Sequence, residues 1–164
     1  MNSQTFIKND QGLYSANGQV RPEDIVTVAA DILFEDLTER ECLSDPTDAA
    51  QFLQLMLACE KNEQFVALFL DSQHRILTYE NLFSGTIDGA AVYPRVVVQR
   101  ALANNAAAVI FAHNHPSNHC EPSQADASIT KRLKDALALV DVRVLDHLVV
   151  SRSGWVSLAQ RGLI

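Results

Sequence analysis

Ala107-Ala108-Val109-Ile110-Phe111-Ala112-His113-Asn114-His115-Pro116 is the stretch on which the reading of this chain turns. Its first half is a short continuous apolar run, the signature of a strand covered on both faces. Its second half turns abruptly polar, and a loop is expected from His113 to Pro122. Ser123 then opens a helix that runs to about Val140. Upstream, Phe65–Leu70 is a second apolar run of the same kind, followed by a turn at Asp71–His74 and a loosely alternating strand from Arg75 to Phe83. Pro94 is suited to the first turn of a helix reaching about Asn105, with Val97, Val98, Ala101 and Leu102 facing inward. Downstream come a strand over Val142–Val150, a turn at Ser151–Gly154 and a last short strand at Trp155–Leu158. Strands and helices interleaved in this way predict an α/β (α+β) domain with a mixed central sheet flanked by helices.

The N-terminal quarter has a different texture. Residues 1–21 are polar, contain Gly12 and Gly18, and read as a loose arm. From Pro22, the spacing of Ile25, Val28, Ala29, Ile32 and Leu33 predicts a helix. A break at Leu43-Ser44-Asp45-Pro46 precedes a second helix carrying the apolar stripe Phe52, Leu53, Met56 and Leu57. The expected division is an arm with one helix over residues 1–44 and the main domain over 45–164.

Composition narrows the classes. A chain of 164 residues, 48% hydrophobic and 20% charged, has enough apolar material to bury a core without staples. Its three cysteines, Cys42, Cys59 and Cys120, are odd in number and form no C-x-x-C pair. That argues against a disulfide framework and for a cytoplasmic setting. No apolar run reaches the ~18 residues of a membrane span, and the residues from Met1 to Thr5 lack a signal-peptide pattern. The net charge of −7 gives nucleic acid the wrong field, so binding to it is not expected of the chain alone. Lys131, Arg132 and Lys134 form the nearest thing to a basic patch, but Asp135 adjoins them and helical spacing spreads them around a solvated face.

His113 and His115 stand two apart on extended backbone, so their side chains point to the same side and can reach one ion. Asp126 stands in the first turn of the following helix, where a carboxylate can turn back toward the loop. Two imidazoles and one carboxylate leave a fourth tetrahedral position for water, which is the pattern of a catalytic rather than a structural zinc. Each piece has a plainer reading. An H-x-H pair is commonly two unrelated histidines, and Ser123 with Asp126 is also a helix start, a variant of the capping box. The clustering favours the site: three of the chain's five histidines fall between positions 113 and 119, after a buried strand and before a helix.

The pattern His113-x-His115-Pro116-x6-Ser123-x-x-Asp126 resembles the JAMM signature of metal-dependent peptidases and deubiquitinases. The resemblance extends to the bacterial RadC-like branch through Glu63-x-Phe65, Leu70-Asp71, Leu82-Phe83-x-Gly85-Thr86, Pro94-Arg95, Ala106-Ala107-Ala108, Pro122-Ser123 and Asp146-His147, over roughly residues 45–164. It implies a JAMM/cytidine-deaminase-like three-layer architecture and a Zn2+ bound by His113, His115 and Asp126. It further implies Glu63 as general base, with Glu60 its nearest rival, Ser123 as oxyanion donor, and a peptide or protein as substrate. A DNA-repair or recombination accessory, the role the RadC label carries, and a catalytically silent interaction module are the alternatives. The helix-hairpin-helix-like module of longer RadC proteins has no counterpart here, so a short stand-alone form is expected. Val96 stands where many RadC-like chains have glutamate, and Asn118 where glycine is usual. Asn is among the residues best able to take a left-handed turn. His119 and Cys120 are further candidate ligands beside the site. For Asp146-His147 the readings are a carboxylate–histidine couple behind the metal, a substrate contact, or a histidine bonded within the fold.

Overall fold

Prolines in first turns and apolar runs between turns set the element order: β1 (Phe6–Lys8), β2 (Tyr14–Ala16), α1 (Pro22–Glu39), α2 (Pro46–Leu57), β3 (Gln64–Leu70), β4 (Ile76–Ser84), α3 (Pro94–Ala103), β5 (Ala108–Asn114), α4 (Gln124–Ala138), β6 (Arg143–Ser151) and β7 (Gly154–Ser157). The computed structural model describes residues 5–40, 42–43, 45–85 and 91–164. Ser44 of the expected break and Thr86 of the Leu82–Thr86 segment lie outside the described residues.

Five strands form one sheet in the order β4-β3-β5-β6-β7. Only β5 and β6 run parallel, joined through α4, and the other neighbours are antiparallel. Alternation along the strands sends side chains to two separate cores. Val66, Leu68 and Leu70 of β3 join Ala108, Ile110 and Ala112 of β5 under Leu37 of α1 and Phe52, Leu53 and Leu57 of α2. Phe65, Ala67 and Phe69, with Val109 and Phe111, meet Val97 and Ala101 of α3 and Leu133 and Leu137 of α4 on the other face. The result is the three-layer mixed α/β architecture expected.

Two local readings change. Residues 5–21 are more than a loose arm, because β1 pairs antiparallel with β2. Asn9 makes the turn: its Oδ1 accepts from the backbone of Gln11 at 3.0 Å and Leu13 at 2.9 Å, while Gly12 takes φ +78°. Strands of three residues are too short to show a period. Second, β5 continues through His113 and Asn114, where a loop was expected, because both residues stay in register with Val149 and Val150 of β6. Among the described residues, no helix is long and apolar enough to cross a membrane.

Candidate metal centre

β5 places the first histidine. His113 follows Val109 and Phe111 on the α3–α4 face, is 1% exposed, and stacks at 6.4 Å on the ring of Phe65 across the sheet. His115 lies one residue past the strand end, where its backbone N donates to Val150 O at 3.0 Å. Asn118, with φ +65°, then closes the turn by donating its N to His115 O at 3.0 Å, the left-handed role a glycine would otherwise fill.

α4 supplies the acid. Ser123 is its N-cap and Asp126 its N3 residue, joined as a full capping box. Ser123 N donates to Asp126 Oδ2 at 2.7 Å, Ser123 Oγ donates to the same oxygen at 2.6 Å, and Asp126 N donates back to Ser123 Oγ at 3.1 Å. Helix start and ligand placement are therefore one arrangement, since the capping box holds the carboxylate toward β5. His113 Nε2 lies 3.0 Å from His115 Nε2 and 3.3 Å from Asp126 Oδ1, and His115 Nε2 lies 3.6 Å from Asp126 Oδ2. Among the described residues, this is the group of three or more potential ligands that could share one metal ion, its atoms all within 4.8 Å of one another.

The electrostatics suit a cation. His115 Nδ1 lies 2.8 Å from His119 O, and a carbonyl only accepts, so Nδ1 carries a proton and Nε2 is the atom that faces Asp126. Asp126's hydrogen bonding raises the His115 pKa, against the opposing effect of burial. At Asp126 burial resists ionisation, yet the neighbouring His113, His115 and Ser123 outweigh it and hold the carboxyl well below the usual carboxylate range. Electron-rich atoms this close repel unless a proton or a metal ion sits between them, and two nitrogens with a carboxylate oxygen are a donor set that zinc accepts. His119 contributes its backbone carbonyl, while neither its ring nor the partly buried Cys120 joins the ligand group.

The β3–β5 register pairs Phe65 with His113, and carried two residues further it sets Glu63 across from His115. The Glu63 charge acts on His115, favouring its protonated form. The Glu60 charge acts on Tyr79, whose pKa burial first, and Glu60 second, push up to about 12. Tyr79 packs against the α1–α2 core.

Behind the site, Asn114 and Thr130 were assigned no role from sequence, and His147 takes the last of its three readings, a histidine bonded within the fold. Asn114, 2% exposed, accepts from Gln64 N at 2.8 Å and donates to Asn62 O at 3.1 Å and Glu60 O at 3.4 Å, clamping the segment that carries Glu63. His147 does not couple to the carboxylate of Asp146. That carboxylate accepts from Ser157 Oγ at 2.6 Å, Ala159 N at 3.0 Å and the backbone N of His147 at 2.7 Å. The His147 ring instead meets His113 Nδ1 at 2.8 Å and Thr130 Oγ1 at 2.5 Å. Burial holds the His147 pKa well below its ordinary value, with the neighbouring His113 adding to the effect. The available signal was a polar residue inside an otherwise apolar strand or inward helix face, since buried polar groups require partners.

Fold and site together define a mixed α/β domain with a His-His-Asp cluster that could hold a metal at the end of its central strand. A family model described as RadC-like JAB domain matches residues 43–163, and the chain belongs to that family. It is similar to UPF0758 proteins: 56% identical over 137 residues to one from Marinobacter nauticus, covering 84% of this chain and 61% of that protein. A second, from Cellvibrio japonicus, is 54% identical over 143 residues, covering 87% and 64%. A third, from Thioalkalivibrio sulfidiphilus, is 57% identical over 132 residues, covering 80% and 59%. The chain spans about three fifths of the length of these curated relatives.

Proposed function

We propose that this domain is a zinc-dependent hydrolase cleaving a peptide or isopeptide bond. The observation that carries this reading is the convergence of His113, His115 and Asp126 within 4.8 Å, with the charge of Glu63 acting on His115. His113 and His115 would supply Nε2 and Asp126 a carboxylate oxygen, leaving one tetrahedral position open. A bound zinc would supply Lewis acidity, polarising a carbonyl and lowering the pKa of a water molecule to about 7.

The protein's own groups handle the protons. Glu63 would take the proton of the attacking water and deliver it to the departing amine. Ser123 would turn its O–H from Asp126 Oδ2 to the developing oxyanion. His115 and Asp126 retain 19% and 14% side-chain exposure, so the site opens to solvent on the side where a chain could approach, while His113 stays buried. The substrate proposed is a protein or peptide, as the resemblance to JAMM peptidases implies.

The test is a zinc-loaded protein incubated with a peptide library and with isopeptide-linked conjugates, alongside Glu63→Gln. The expected result is cleavage by the wild type and a rate about 10²–10⁴-fold lower in the variant, at equal zinc content. Undiminished turnover in Glu63→Gln would remove the general base. No cleavage across the panel by zinc-loaded wild type would replace this reading with a silent interaction module.

A further inference from the structure

Thr130 and His147 are both fully buried, and together they connect the back of His113 to the helix that carries Asp126. Thr130 lies one turn after Asp126 on α4. Its hydroxyl is 2.5 Å from Asp126 O and 2.5 Å from His147 Nδ1. His147 faces Phe111 across the β5–β6 pair, lies edge-on to Phe65 at 5.3 Å, and brings Nε2 to 2.8 Å from His113 Nδ1.

The direction of this chain follows from counting hydrogens. A hydroxyl has one proton to donate, and a backbone carbonyl has none. Thr130 must therefore donate to Asp126 O, and it can only accept from His147. His147 then carries its proton on Nδ1. In the neutral ring that burial against two aromatic rings favours, Nε2 is then a lone pair, and the 2.8 Å contact makes it accept from His113 Nδ1–H. A neutral His113 protonated on Nδ1 has an Nε2 lone pair, and that is the atom 3.0 Å from His115 Nε2 and 3.3 Å from Asp126 Oδ1.

We propose that Thr130 and His147 are positioning residues that lock His113 in its Nδ1–H form, so that Nε2 is always free to ligate the metal. This rests on the reading of the site as a metal centre. One residue, Asp126, anchors both halves: its carboxylate faces the ligand cluster and its backbone carbonyl terminates the chain of hydrogen bonds. Metal-bound histidines generally donate their second N–H to a carboxylate, carbonyl or water. Here the acceptor is a neutral imidazole, which orients the ring without adding negative charge behind it.

Nitrogen-detected proton correlation spectra of the zinc-free full chain test the assignment, with zinc affinity by chelator competition as the second readout. In wild type, His113 should show the Nδ1–H tautomer. Thr130→Val, which keeps the shape and removes the hydroxyl, should let His147 turn over its proton and give His113 a mixture of tautomers. Zinc affinity should fall about 10–100-fold, the usual effect of losing a supporting partner, and Thr130→Ser should restore both readouts. Finding His113 protonated on Nε2 in wild type would overturn the proposal, as would Thr130→Val with wild-type tautomer and affinity. If wild type bound no zinc at all, the metal reading would fail separately, and the tautomer spectrum of the zinc-free protein would still decide this one.

Discussion

At the residue scale, the site combines parts that each serve the fold as well. Asp126 is a helix N3 acid bonded by Ser123, and His113 is a strand residue stacked on Phe65. The His113, His115 and Asp126 cluster was legible in the sequence because strand alternation and helix-start chemistry act over a few residues. Thr130 was not, because its partners, Asp126 O and His147, sit on two different elements and only tertiary packing brings them together. Removing a ligand should separate metal binding from folding. His113→Ala and Asp126→Ala proteins, purified and measured by elemental analysis, should lose most of the roughly one zinc per chain expected of wild type. Asp126→Ala should also melt lower, because it removes the carboxylate that bonds Ser123 N and its hydroxyl, part of a cap whose loss typically costs about 1 kcal/mol. Full zinc retention in both variants would contradict the ligand assignment.

At the element scale, β5 does two jobs on its two faces. His113 points into the site, and Asn114, its neighbour, points the other way and holds the segment before β3. The helices and the buried strands were readable from period and apolar runs, whereas the end of β5 was not. Sequence marks His113 and Asn114 as polar, but pairing with Val149 and Val150 keeps them in the sheet. The β1–β2 hairpin was missed for the opposite reason, its strands being too short to carry a pattern. Asn114→Asp tests the clamp, because a carboxylate accepts from Gln64 N but cannot donate to the carbonyls of Asn62 and Glu60. Stability should drop by about 1–3 kcal/mol, as expected when buried acceptors lose their donor. Zinc content should stay near that of wild type, while turnover falls as Glu63 loses its placement. Denaturant melts, elemental analysis and rates on the same preparation would check all three.

On the scale of the whole molecule, net charge and layering set what the domain meets. Two cores pack on opposite sides of one sheet, and the His-His-Asp cluster sits at the end of its central strand. With a net charge of −7, and Lys131, Arg132 and Lys134 exposed on a helix also carrying Asp135, weak attraction for phosphates is expected. Duplex DNA should bind no tighter than about 10⁻⁴–10⁻⁶ M at physiological salt, the range of non-specific association. A titration giving nanomolar, sequence-dependent binding would favour a nucleic-acid role instead. Layer order, the strand-to-helix placement of the site and the charge balance were all readable before any coordinates. The identity of a substrate was not, because specificity depends on surfaces that form only when separate loops are brought together.

The most direct test of the centre is X-ray absorption at the zinc edge on the full chain loaded with one equivalent of zinc. The account predicts two imidazole nitrogens at about 2.0–2.1 Å and oxygens at about 2.0–2.2 Å, one from Asp126 and one from water, with no sulfur in the first shell. A sulfur scatterer near 2.3 Å would place Cys120 on the metal and close the position that catalysis needs, contradicting the open centre proposed here.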